Sequence, residues 1–265
     1  MKNKKSLGQH WLKNRAILDK IAGLAADGGA YDFSEKTGVE TKKQKVSLCV
    51  EIGPGLGTLT SSLFKYFDKI IAVEYDEKLA ENLPKSFPGK NLEVINEDIL
   101  KYDFSTIEEK YVIAGNIPYY ITSPIIEKVL TISNLPERVI LLMQKEVAER
   151  ILSEKETLLS LFVKNRAEVV AGPVVVKEEF TPPPKVDSQV VILIPHIPIV
   201  GGEVFKLIKM GFAAPRKKLT HNLAGLKPKA IVEGVLVTMG INPGARPGEL
   251  KLEDWQSLYL QLKVE

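Results

Sequence analysis

The chain has 265 residues, 45% of them hydrophobic and 26% charged, an ordinary globular composition that allows one large domain or a main domain with an appendage and excludes collagen-like and disordered chains. Cations exceed anions by only three, too few by themselves to argue for a polyanionic partner. No apolar run approaches the roughly 20 residues of a membrane helix and the first residues lack a signal-type apolar stretch, so a cytoplasmic protein with no membrane partner is expected; one cysteine, Cys49, and three scattered histidines, His10, His196 and His221, give no zinc spacing, so no metal is expected.

In chain order, residues 1–20 carry six cations (Lys2, Lys4, Lys5, Lys13, Arg15, Lys20) against Asp19. A first helix is predicted over 15–25, followed by a polar loop over 27–45. From there to residue 194 short β-branched runs at 46–52, 69–74, 92–96, 111–114, 138–143, 167–170 and 189–194 alternate with helical spacing at 56–66, 77–83 and 124–130. Ser123-Pro124 is expected to cap the last of these helices. The rhythm is that of repeated βα units around a mostly parallel sheet, whose ligands bind at the carboxyl ends of the strands. Pro195, Pro198 and Gly201-Gly202 mark a boundary, and 204–212, 216–223, 229–239 and 252–262 read as helices without strands. The predicted division is 1–198 and 199–265. Residues 205–229 hold seven cations and no acid, and with the basic N-terminus they favour a phosphate backbone as partner.

The loops after the strands carry the chemistry. Glu51-Ile-Gly-Pro-Gly-Leu-Gly-Thr places Gly53, Gly55 and Gly57 in a turn before a helix, where a ligand can approach the backbone. The spacing differs from that of pyrophosphate binders. Glu74 ends the second strand of the sheet, where a carboxylate can accept from ribose hydroxyls. Asp98 follows the third and can accept from an adenine amino group. After the fourth comes Gly115-Asn116-Ile-Pro-Tyr-Tyr. An exocyclic adenine amine is a poor nucleophile because its lone pair is delocalised; accepting hydrogen bonds from both its N–H groups pyramidalises it. The Asn116 side-chain oxygen and the Ile117 or Pro118 carbonyl are candidate acceptors, and Tyr119 offers a stacking face. Phe180, ahead of a proline run, is either a second stacking wall or core filling. Lys5-Ser-Leu-Gly-Gln-His-Trp-Leu12 either folds over a ligand or caps the core.

Together with Gln144-Lys-Glu-Val-Ala-Glu-Arg, Phe180-Thr-Pro-Pro-Pro-Lys-Val-Asp-Ser and Arg216-Lys-Lys-Leu, these segments resemble, in order along nearly the whole chain, the small-subunit ribosomal RNA adenine N6,N6-dimethyltransferases. The resemblance implies a Rossmann-like methyltransferase fold with a seven-stranded, mostly parallel sheet of order 3-2-1-4-5-7-6, the last strand antiparallel, and a small all-helical C-terminal domain that binds RNA. It implies S-adenosylmethionine as cofactor, held by His10, Leu12, Gly53, Gly55, Glu74, Asp98 and Asn116. Asn116, Pro118, Tyr119 and Phe180 would handle the target, two adjacent adenines in the 3′-terminal hairpin of 16S-type RNA. The expected partners are small-subunit rRNA and the immature small subunit, and the expected state is a monomer. Trp11 stands where phenylalanine is usual, 27–45 is longer than the usual connection, and 150–160 lacks the usual Pro-Gly and Tyr-Gly elements. The rival readings are a large-subunit adenine methylase, a ribosome-assembly factor whose catalysis is incidental, and a nicotinamide dehydrogenase, the last disfavoured by the glycine spacing.

Overall fold

The computed structural model describes residues 10–27 and 46–263. The Lys5–Gln9 part of the N-terminal motif, the cations before it and residues 28–45 of the predicted loop lie outside these. The strands are β1 (Trp11–Leu12), β2 (Leu48–Ile52), β3 (Lys69–Glu74), β4 (Leu92–Asn96), β5 (Tyr111–Asn116), β6 (Arg138–Gln144), β7 (Ala167–Val175), β8 (Phe180–Thr181) and β9 (Ser188–Pro195). The helices are α1 (Arg15–Asp27), α2 (Thr58–Leu63), α3 (Glu77–Asn82), α4 (Thr122–Val129), α5 (Lys145–Leu152), α6 (Leu158–Lys164), α7 (Gly202–Gly211), α8 (Leu219–Asn222), α9 (Lys229–Thr238) and α10 (Leu252–Lys263).

The chain forms two compact units, Met1–Ala148 with Glu168–Pro195, and Glu149–Ala167 with His196–Glu265. In the first, seven strands lie in the order β4-β3-β2-β5-β6-β9-β7. With the two-residue β1 and β8 set aside, this is the expected 3-2-1-4-5-7-6 order. β2, β3, β4, β5 and β6 are parallel neighbours, and β9 runs antiparallel to β6. Every residue of β2 is buried, as are the interiors of β3, β5 and β6, so these strands read as continuous apolar runs rather than alternating ones. α1 is capped by Asn14, whose side-chain oxygen accepts from the amides of Ala16 and Ile17, and it buries Leu18, Ile21, Ala22 and Ala25 at helical spacing.

Two details differ from expectation. α4 begins at Thr122 with Ile121 at its cap position, so Ser123 and Pro124 sit inside the first turn; the Thr122 hydroxyl bonds back to the Tyr119 carbonyl at 3.1 Å, and proline is tolerated there because first-turn amides have no helical acceptor. The second concerns 149–167, placed by its sequence position in 1–198, which folds with the C-terminal unit. Its attachments explain why. Buried Asn165 bonds Val200 twice, through Nδ2 to the carbonyl and Oδ1 from the amide. Arg166 lies over the rings of Phe162 and Phe205, 4.5 and 5.6 Å from their centroids, and Leu161 enters the core around Trp255, Leu219 and Leu236. In the same segment, buried Glu156 accepts from the Ser160 hydroxyl at 2.6 Å and the Lys164 ammonium at 2.7 Å.

Candidate active site

The parallel register determines where the loops meet. Ile52 pairs with Val73 and Gly115, and Glu74 with Asn96, so the chain leaves β2, β3, β4 and β5 at one edge of the sheet. Those four exits and residues 10–12 enclose a cavity of about 360 Å³, within the size range of small-molecule sites.

After β2 the chain turns through Gly53, Gly55 and Gly57, with φ of 63°, 58° and 79°, all in the left-handed region that side chains disfavour. A Cβ on Gly57 would lie 2.8 Å from Leu83 and Phe87 atoms, so this glycine also serves packing; one on Gly53 would meet nothing within 4 Å, and Gly53 opens on the cavity. Glu74 is only 6% exposed. Its Oε2 accepts from the Gly55 amide at 3.0 Å and its Oε1 from the Asp76 amide at 2.8 Å. Burial pushes its pKa up and these backbone bonds oppose the shift. Each oxygen keeps lone-pair capacity for a ligand hydroxyl. Asp98 lines the same wall, one oxygen accepting from the Leu100 amide at 3.0 Å.

Asn116 closes the other end. Its Nδ2 donates to the His10 main-chain oxygen at 2.9 Å, and because a carbonyl can only accept, Nδ2 must face His10 and Oδ1 the opposite way. Ile117 is buried and anchors the loop, its amide donating to the Leu142 carbonyl. Pro118 is extended and leads into a 3-10 turn at Tyr119–Ile121. The Tyr119 hydroxyl shares a 2.8 Å bond with Ser188, and burial raises its pKa. One face of its ring stacks on His10, centroids 5.8 Å apart. His10 is itself held by Nδ1, which donates to the Pro182 carbonyl at 2.7 Å.

Of the candidate residues, His10, Leu12, Gly53, Gly55, Glu74, Asp98, Asn116, Pro118 and Tyr119 all line this cavity. Phe180 does not: it is 2% exposed and packed in the core cluster that contains Leu12. Of the two readings left open for it, the packing favours core filling: β8 pairs with β1, Leu12 opposite Phe180, and the ring is buried in the core. His196 and His221 belong to the second unit. Tyr75, Tyr120 and Glu51 are among the cavity residues that went unassigned in the sequence. Tyr75 and Tyr120 are exposed at 64% and 62%. Glu51 is a fully buried carboxyl that accepts from the Thr60 hydroxyl at 2.6 Å, its pKa raised to about 8 by burial, with the Glu74 charge adding to the rise. Its signal was in the sequence, an acid inside an otherwise apolar strand directly before the glycines.

The ribosomal RNA adenine dimethylase family matches residues 1–263. Two proteins called ribosomal RNA small subunit methyltransferase A are similar along the chain: that of Dehalococcoides mccartyi strain CBDB1, 36% identical over 98% of this chain and 89% of its own, and that of Bacillus pumilus, 37% identical over 96% and 89%. Among solved structures, a dimethyladenosine transferase from Plasmodium falciparum aligns at a TM-score of 0.74 with 28% identity over 94% of this chain and 96% of its own. The 23S rRNA methyltransferase ErmE aligns at 0.73 with 25% identity over 95% and 99%.

Proposed function

This chain belongs to the ribosomal RNA adenine dimethylase family, and we propose that it moves methyl groups from S-adenosylmethionine to N6 of two adjacent adenines in the 3′-terminal hairpin of 16S-type rRNA, on the immature small subunit, acting as a monomer. The observation that carries this reading is Asn116, held by the His10 carbonyl with its oxygen turned away from that bond, on the wall of a cavity that also holds Glu74 and Asp98. The small-subunit names borne by relatives of 36–37% identity support this substrate over the large-subunit one, since the 23S enzyme is 25% identical.

The residues present suit the cofactor. Glu74 would take the ribose hydroxyls, Asp98 the adenine amine, and Gly53, beside which a side chain would have open space, the close approach of the ligand. When bound, S-adenosylmethionine supplies a methyl group made electrophilic by its sulfonium. The protein's share is to shape and hold the acceptor. The Asn116 oxygen would accept from one N–H of the target amine. The Ile117 carbonyl suits the other, because the Pro118 carbonyl already accepts from the Ile121 amide at 3.3 Å and the Thr122 hydroxyl at 3.5 Å. Two preset acceptors localise the nitrogen lone pair without reorganisation at the moment of reaction. The free face of Tyr119 would stack the flipped base, whose extrusion costs a few kcal/mol. The second unit, with its cations from Lys206 to Lys229, would hold the RNA backbone.

The test is mass spectrometry of small- and large-subunit RNA incubated with the protein and a labelled methyl donor. Labelled dimethyladenine at two adjacent positions of the small-subunit RNA is expected. Label only in large-subunit RNA, or none with either RNA or with immature subunits, would overturn the proposal.

A further inference from the structure

Trp11 lies on the cavity wall against the glycine turn. Its indole nitrogen stands 3.1 Å from the point where a Cβ on Gly55 would be, and Cδ1 3.3 Å from it, so the N–H edge of the ring faces the turn rather than the benzene edge. An indole N–H can only donate, and among the described residues no acceptor takes it. On the amide side of the same glycine is an acceptor, Glu74 Oε2, at 3.0 Å. A donor and an acceptor therefore flank Gly55, both on the cavity.

We propose that Trp11 Nε1–H donates to a ribose hydroxyl oxygen of the bound nucleoside, at the hydroxyl pair whose protons Glu74 accepts. The inference rests on the cofactor reading above and adds a specificity-determining residue to it. A sugar hydroxyl both donates and accepts. A carboxylate alone satisfies its proton and leaves a desolvated oxygen without a donor, a deficit that weakens binding. Trp11 supplies that donor from a fixed position. Its main chain pairs with Thr181, the next residue is buried in the core, and the residue before it is tied to Asn116 and Pro182. The backbone that carries the indole is therefore ordered before the ligand arrives.

The experiment is calorimetric binding of S-adenosylhomocysteine and its 2′-deoxy and 3′-deoxy analogues to the wild type and to Trp11→Phe, which keeps a ring and removes the N–H. Trp11→Phe should weaken S-adenosylhomocysteine about three- to tenfold, the size of one hydrogen bond, while at least one deoxy analogue binds both proteins equally. Weakening of all three ligands by the same factor, or of none, overturns the inference while leaving the cofactor reading intact. Absence of S-adenosylhomocysteine binding to the wild type overturns both. A second readout needs no variant. The chain has two tryptophans, and Trp255 is 0% exposed in the second unit, so the ligand should shield the accessible indole from iodide quenching. Quenching that the ligand leaves unchanged contradicts the contact.

Discussion

The side-chain amide of Asn116 donates to the main-chain oxygen of His10 at 2.9 Å, across 106 positions of sequence. The bond fixes the end of the amide that points to His10, and it ties residues 10–12 to the Asn116 side of the cavity. His10 also stacks on Tyr119, so one residue of the N-terminal segment orients both the proposed acceptor of the target amine and the proposed platform for its ring.

That platform can be tested apart from the acceptor. Tyr119→Phe keeps the ring and loses only the Ser188 bond, so the KM for RNA should change little. Tyr119→Ala removes a stacking contact of about 1–3 kcal/mol and should raise that KM about tenfold or more, leaving S-adenosylhomocysteine affinity nearly unaltered. Steady-state kinetics with varied RNA, beside calorimetry, separates the two; a large KM increase in Tyr119→Phe would move the contribution from the ring to the hydroxyl.

Glu51 gives stability a pH dependence of predictable sign. Burial raises its pKa from an ordinary 4.5 to about 8. The folded chain therefore keeps a proton that the unfolded chain loses, and stability from this group falls as pH climbs between those values and levels off above them. Glu51→Gln, which can still accept from Thr60, should lose that slope and be the more stable protein at pH 8. Urea unfolding of both proteins from pH 5 to 9 measures it. Parallel curves would mean that Glu51 titrates alike in both states.

Glu156 and Lys164 form a partly buried ion pair in the segment 149–167. Lys164→Met leaves the buried carboxylate with the Ser160 hydroxyl as its remaining side-chain donor partner. A cost of about 1–3 kcal/mol is expected, below the value for a fully buried pair because the lysine is partly exposed. Adding Glu156→Gln should recover part of the loss in urea unfolding; additive losses would show the two groups to be uncoupled.

The seven strands were legible as β-branched and apolar runs, most plainly β2, β3, β5 and β6, whose interiors are buried; their order came from the family resemblance, and the loop chemistry followed because Gly53, Glu74, Asp98 and Asn116 stand at or just after the ends of such runs. What escaped depends on distant partners. β1 and β8 are two residues long and have no period to detect, so nothing local announced that Phe180 would be sealed against Leu12. The 149–167 segment is helical in its own right, and its allegiance to the second unit comes from Asn165 and Arg166 meeting Val200 and Phe205. The orientation of the Asn116 amide needed the His10 carbonyl, whose position no sequence spacing supplies.

The most direct measurement compares single-turnover methyl transfer to small-subunit RNA with equilibrium S-adenosylhomocysteine binding in Asn116→Ala. Loss of a preset acceptor should slow transfer about 10²- to 10³-fold, with affinity shifting by no more than about threefold. Equal loss in both would make Asn116 a binding residue only, and an undiminished rate would remove it from the chemistry altogether.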